Sequence, residues 1–209
     1  MTYYPVCLNL KNKKCVVVGG GKVALRKVKS LVEAQAKVTV ISPKFSTLFK
    51  ELENKVTCLK EEYNSNHIKK DTFLVIAATN DKQFNAKIAG DANKLNLLIN
   101  VVDSPEMCNF IVPATMVRGD LIISVSTSGK SPALARKIKE DLEIIYGTEY
   151  EALVDSLGKL RNKIKVEYKD EEERKLFWEK LLSLKNAHHE GTKTQKTRKI
   201  PCSQTSVLV

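Results

Sequence analysis

Three consecutive glycines, Gly19-Gly20-Gly21, directly follow the β-branched run Lys14–Val18 and open a stretch of helical periodicity. A short apolar run that ends in glycine is a buried strand entering a tight turn. From Lys22 to about Gln35 the spacing turns helical, with Ala24, Val28 and Leu31 on one face. Gly19 to Ala24 therefore reads as G-x-G-x-x-A between a strand and a helix. Gly19 allows the turn, Gly21 lets backbone approach a pyrophosphate, and the small Ala24 lets helix and strand pack closely. The helix N-terminus adds N–H donors and a positive dipole end. This context points to dinucleotide binding; the plainer alternative is a packed turn.

Strands and helices continue to alternate. Lys37–Ile41 is a second strand closed by Ser42-Pro43, Val56–Leu59 a weaker third, and Phe73–Ala78 a strong fourth. A helix from Asp81 to about Leu95 follows, with Phe84, Ile88, Ala92 and Leu95 on one stripe. Leu97–Val102 shows little polar alternation, as expected of a strand covered on both faces. The expected fold class is α/β, a Rossmann-type parallel sheet with helices on its faces. The pattern then changes. Phe110–Val112 and Leu121–Val125 read as two short antiparallel strands linked through Arg118-Gly119-Asp120. Ser131-Pro132 starts a helix that Gly147 ends, and two more helices follow. One carries Leu153, Leu157, Leu160 and Ile164; the other opens on Asp170–Glu173 and carries Leu176, Phe177, Leu181 and Leu184. From about Ala187 periodicity is lost, and a disordered basic tail is expected.

Composition narrows the function classes. The 209 residues are 43% hydrophobic, enough for a core, and carry a formal charge of +11. No apolar run approaches the roughly 20 residues of a membrane helix, and Met1–Leu10 lacks a secretory pattern. A cytoplasmic protein with no membrane partner is expected. The tail from Ala187 holds Lys193, Lys196, Arg198 and Lys199 against Glu190, so +3 of the charge lies there and +8 elsewhere. Without a nucleic-acid motif the surplus is read as attraction for small anions or plain solvation, and no nucleic-acid partner is expected. Five cysteines without a CxxC pair, a lone His67 and the adjacent His188-His189 of the tail suggest neither a disulfide framework nor a metal site.

Several positions beyond the glycines carry possible chemistry. The acidic residue that accepts ribose hydroxyls in NAD-binding folds is missing after the second strand, where Ser42-Pro43-Lys44 stands instead. Ser42 suits a hydroxyl and Lys44 a 2′-phosphate, so NAD and NADP both stay open on these residues. Ala78-Thr79-Asn80 follows the fourth strand and either lines the nucleotide crevice or forms an ordinary turn. Asp103 ends the run Asn100-Val101-Val102, beyond a strand's carboxyl end where ligands collect. A carboxylate there serves as a proton acceptor, or caps the Ser104-Pro105 turn. The hydroxyl-rich stretch Ser126–Ser131 feeds a helix N-terminus, either an anion site or a capping loop.

The segments GGGKVALRK, IAATND, NVVDSPEMCNFIVPA and ISVSTSGKSPALARKIKEDLE, in this order, resemble the precorrin-2 dehydrogenase family, which also forms the amino-terminal part of siroheme synthase. The similarity runs from about Tyr3 to Lys185. It implies an NAD-binding Rossmann domain at 1–112, a dimerisation region at 113–147 and a helical C-terminal domain at 148–186, with 187–209 as the tail. It also implies oxidation of precorrin-2 to sirohydrochlorin with NAD as cofactor, and in some members insertion of ferrous iron to give siroheme. Nothing here resembles the methyltransferase domain fused to some relatives, so that activity is not expected of these residues. Asp103 matches the family's catalytic aspartate. Nucleotide contacts fall on Lys22, Val23, Pro43 and Lys44, alongside Gly19, Gly20, Gly21, Ser42, Ala78, Thr79 and Asn80. Asn100, Thr127, Ser128 and Ser131 are the expected substrate-side residues, with Thr127 standing where the family has a serine. The expected partners are the tetrapyrroles precorrin-2 and sirohydrochlorin, ferrous iron as a substrate where chelation occurs, and a second copy of the chain. The rivals are a Rossmann module that senses NAD without turnover and a nucleic-acid binder acting through the tail.

Overall fold

The computed structural model describes residues 3–190, with side chains as far as residue 183. Two compact units divide the chain: 1–115 with 124–141, and 116–123 with the described residues from 142 onward.

In the first unit, strands β1 (Lys14–Val18), β2 (Lys37–Ile41), β3 (Thr57–Leu59), β4 (Thr72–Ala77) and β5 (Leu98–Val101) form one sheet in the order β3-β2-β1-β4-β5. All four pairings are parallel. Helix α1 (Lys22–Glu33) joins β1 to β2, and α2 (Lys82–Lys94) joins β4 to β5. The strand order reverses between β1 and β4, and such a switch point opens a crevice at the strands' carboxyl ends.

The period-2 alternation of each strand feeds two apolar layers. Cys15 and Val17 of β1 join Leu74 and Ile76 of β4 under Ala24, Leu25, Val28 and Leu31 of α1. Val16, Val18, Val75 and Ala77 point the other way, against Ile88, Ala89 and Ala92 of α2. Both faces are covered, which is why these strands read as nearly unbroken apolar runs. Cys15 is fully buried as a small core residue, and burial pushes its thiol up to about 11. Asp81 caps α2 by accepting from the Phe84 amide at 3.0 Å.

Strands β6 (Ala114–Arg118) and β7 (Leu121–Val125) make a separate two-stranded sheet. The two residues between them make this a tight hairpin, and Gly119 supplies the positive φ of +56° at its turn. Its first strand lies at 114–118 and not at the expected 110–112. The Phe110 carbonyl instead accepts the Asn100 amide at 3.2 Å, which ties that stretch beside β5. Helix α3 (Pro132–Ile145) follows, with Ser131 accepting from the Leu134 amide at 3.3 Å.

In the second unit, α4 (Glu149–Glu167) and α5 (Glu171–Glu190) follow the hairpin tip. Asp170 accepts from the Glu173 amide at 3.1 Å, and Glu171, Glu172 and Glu173 meet the positive end of the α5 dipole. The α5 backbone stays helical four residues past the expected start of the tail, and residues 191–209 lie outside the described chain. Among the described residues no helix is long and apolar enough to cross a membrane.

Candidate functional site

Four loops leave the carboxyl edge of the sheet at one level, because each first loop residue still bonds to the neighbouring strand. Ser42 donates to Leu59 at 3.1 Å, Gly19 to Ile41 at 2.9 Å, Ala78 to Val18 at 2.8 Å and Val102 to Ala77 at 2.9 Å, all through backbone. At the usual strand spacing, Gly19 and Val102 stand about 10 Å apart across β4. Gly19–Gly21, Ser42–Lys44, Ala78–Asn80 and Asp103 therefore share one rim.

The three glycines do three different jobs. Gly19 has φ +129°, and a side chain there would strike the Ala78 carbonyl. A Cβ on Gly20 would strike the Lys44 carbonyl and come within 2.8 Å of the Ser42 hydroxyl oxygen. A Cβ on Gly21 would meet nothing within 4 Å. Gly21 therefore borders open space just where α1 begins, and no side chain caps its N-terminus. The first-turn amides, those of Lys22 and Val23 among them, face that space as free donors. A diphosphate of a bound dinucleotide fits this opening, with Gly21 holding room for it.

The other expected nucleotide residues are partly committed to holding the rim. Ser42 is buried and donates its hydroxyl proton to the Lys44 carbonyl at 2.7 Å, which closes the loop that presses on Gly20. Pro43 and Lys44 are exposed. Thr79 gives both its amide (3.2 Å) and its hydroxyl proton (2.7 Å) to the Asn85 carbonyl oxygen, and Asn85 returns its amide to the Thr79 carbonyl at 3.0 Å. Asn85 sits inside α2 at 3% exposure, so this buried amide shapes the Ala78–Asn80 loop. Its place on the apolar stripe of α2 was the only sign of it in the sequence.

Beyond β5 the chain closes over its own strand edge. Asn109 accepts the Ile99 amide at 2.8 Å, donates its side-chain amide to the Leu97 carbonyl at 2.8 Å, and gives its backbone amide to the Ile99 carbonyl at 3.1 Å. The Cys108 sulfur accepts the Val101 amide at 3.1 Å. An edge strand whose backbone would otherwise lie open is thereby sealed. Asn100 is buried, and its amide goes to the Phe110 carbonyl and to the Cys108 sulfur. Its amide protons are thus held by the protein.

Asp103 stands at the apex of the turn that follows. Its backbone has φ +58°, a left-handed conformation that aspartate tolerates better than most residues. Its carboxylate is exposed and has no hydrogen-bond partner among the described residues. It does not cap the Ser104-Pro105 turn. On α1, Lys27 is half-buried, and its ammonium is held below the ordinary lysine range by burial first and by the Arg26 charge second. A lysine on a helix flank carries no motif, so nothing in the sequence singles it out.

The hydroxyl-rich loop is organised as a helix entry. Thr127 accepts from the Ser131 amide at 2.9 Å, Ser128 has φ +52°, and its amide donates to the Ser126 hydroxyl oxygen at 3.1 Å. None of Thr127, Ser128 and Ser131 hydrogen-bonds to the strand-end residues. Among the described residues, no three of His, Cys, Asp and Glu gather as metal ligands do.

Residues 6–114 match the protein-family model described as "Putative NAD(P)-binding", and residues 118–143 the one described as "Sirohaem biosynthesis protein central". The chain is similar to siroheme synthase of Nitrosomonas europaea, 38% identical over 188 residues that cover 87% of this chain and 39% of that protein. It is also 40% identical to siroheme synthase of Pseudoalteromonas translucida over 181 residues, 86% of this chain and 38% of that one. It thus spans about two-fifths of the length of these curated relatives. Among solved structures, that of SirC, precorrin-2 dehydrogenase, is 30% identical with a TM-score of 0.63, over 78% of this chain and 81% of that one.

Proposed function

We propose that this chain, which belongs to the precorrin-2 dehydrogenase family, oxidises precorrin-2 to sirohydrochlorin with a nicotinamide dinucleotide. The observation that carries this reading is the shared rim. The glycine cradle and the free carboxylate of Asp103 open on the same side of the sheet, about two strand spacings apart.

The dinucleotide, when bound, supplies the two-electron chemistry by accepting a hydride. Gly21 keeps the crevice clear, and the first-turn amides of α1 hold the diphosphate. The proton that leaves the macrocycle with the hydride needs an acceptor, and the Asp103 carboxylate takes it. Its exposure leaves it within reach of a large substrate. The basic surplus outside the tail favours the arrival of two anions, a diphosphate and a macrocycle rich in carboxylates.

We take NAD as the cofactor, in keeping with the family resemblance. With Ser42 turned inward, Lys44 is the exposed group at the ribose end of the crevice, so comparison of NAD and NADP as oxidants in wild type and Lys44→Ala tests the choice. A homodimer is part of the same reading. It is supported by apolar side chains left bare on the hairpin and on α3, of which Ile144 is 83% exposed. Surface thiols at Cys7 and Cys58, both unpaired, suit the reducing cytoplasm. Thr127 and Ser131 are proposed to meet the substrate's carboxylates at the start of α3.

The deciding experiment is anaerobic: precorrin-2 is supplied with NAD and the absorbance of sirohydrochlorin is followed. Product formation that requires NAD and is strongly slowed in Asp103→Asn is expected. A protein that binds NAD but consumes no tetrapyrrole is instead the sensing module. Adding ferrous or cobaltous ion to sirohydrochlorin in the same cuvette tests iron insertion, in which Asp103 would remove pyrrole protons.

A further inference from the structure

The Asp103 carboxylate has no side-chain partner to aim it, so its direction is inherited from the turn beneath it. That turn bears a left-handed residue at an exposed apex, a conformation that persists only where its surroundings hold it. Its own backbone bond, from the Ser104 amide to the Val101 carbonyl, is long at 3.4 Å. One side chain spans both feet of the turn. The Cys108 sulfur accepts the Val101 amide at 3.1 Å and lies 3.3 Å from both the Val101 and the Ser104 carbonyl oxygens. A thiol has a single proton, which these two oxygens share or take in turn. Cys108 is 8% exposed, and the Asn100 amide lies 3.6 Å from its sulfur.

We propose that Cys108 is a positioning residue for the proton-accepting carboxylate of Asp103, its thiol clasping the turn from Val101 to Ser104. The proposal rests on the reading of Asp103 as proton acceptor. Sulfur suits the task through size: the observed contacts of 3.1–3.3 Å are longer than the roughly 2.7–2.8 Å at which a hydroxyl bonds best. Serine therefore retains the donor and acceptor but reaches less well, while valine fills the space and loses both.

The test measures kcat, KM and NAD affinity in the anaerobic assay for wild type, Cys108→Ser, Cys108→Val, Asp103→Asn and the Cys108→Val/Asp103→Asn double variant. Displacing a reacting group by an ångström costs up to about 100-fold in rate. Cys108→Val should lower kcat about 10- to 100-fold, with both KM values and NAD affinity within about twofold of wild type. Cys108→Ser should fall between. Because the thiol acts through the carboxylate, Cys108→Val should alter the residual rate of Asp103→Asn by less than about twofold. The proposal is overturned if Cys108→Val turns over within twofold of wild type, or if it cuts the Asp103→Asn rate by the same factor as the wild-type rate. Should Cys108→Val not fold, the same cycle is run with Cys108→Ser, whose undiminished kcat would equally overturn it. Amide exchange at Val101 keeps the two readings separable. A wild type that oxidises no precorrin-2 defeats the functional reading, while unchanged Val101 exchange in the Cys108 variants defeats the clasp whatever the reaction.

Discussion

The first unit seals an apolar layer on each face of its sheet, whereas the second leaves much of its apolar surface bare. Around the five-stranded sheet, Ile41, Leu74, Ile88 and Ile99 are sealed between strands and helices. In the second unit Met116 and Ile164 are buried, but Ile122, Ile144, Ile145, Val166, Leu176 and Leu182 are exposed. A parallel sheet satisfies its own hydrogen bonds and covers itself through its crossover helices. A hairpin and a few helices cannot form a closed core at this size, so such a unit gains most from association. The first therefore carries a closed core of its own, and the second exposes apolar side chains that association would cover.

The largest expected effect tests where the chemistry resides. Asp103→Asn should reduce kcat by about 10²- to 10⁴-fold, the usual worth of a general base, while NAD titration is unchanged. A near-normal rate would move the proton acceptor off the sheet edge. Next comes stability. Ile99→Ala should cost about 2–5 kcal/mol in urea unfolding, and Ile144→Ala less than about 0.5 kcal/mol in the isolated protomer. Ile144→Glu should instead shift the molecular mass measured by light scattering towards the monomer. Equal losses from the two alanine variants would erase the contrast between the units.

The glycines sharpen the comparison within the first unit. Gly21→Val should weaken NAD about tenfold or more with little change in melting temperature, since its side chain would enter open space. Gly20→Ala should do the reverse, lowering stability by about 1–3 kcal/mol, because the Lys44 carbonyl must move. The smallest effect concerns the rim of the sheet opposite the site. There the Lys14 ammonium, hydrogen-bonded to Asp71, holds that carboxyl below the usual carboxylate range. A depressed carboxyl adds stability above the ordinary carboxylate pKa and loses it as pH falls through the folded value. Wild type should thus melt slightly above Asp71→Asn at pH 7 and low salt, and the gap should close in acid. Both side chains are more than half exposed, so screening keeps the gap small.

Legibility followed the range of the interactions. The strand before Gly19, the helix after it and the helix that follows Asp81 are decided by neighbours a few residues away, and they stand where their pattern put them. The hairpin's first strand did not. Phe110–Val112 is as apolar as a strand, but Asn100 and Asn109 draw that stretch against β5. Asn100 interrupts the apolar run Leu97–Val102, and only the fold shows which carbonyl and sulfur its buried amide meets. Nothing in the sequence singles out Asn85 or Cys108, since the groups they bind become their neighbours only after folding.

The sequence by itself determined a strand, a glycine turn and a helix, the alternation that builds a parallel sheet, and a carboxylate just past its last strand. These follow from local conformational preference and from the period of the apolar residues, which need no distant contact to act. Only the tertiary structure decided which glycine clears space for a ligand and which merely avoids the chain. Gly20 is required because the Lys44 carbonyl, twenty-four positions later, comes to rest against it, whereas Gly21 faces open space. It likewise decided that a thiol holds the turn beneath Asp103. Both outcomes depend on atoms far apart along the chain that the parallel sheet brings to one edge.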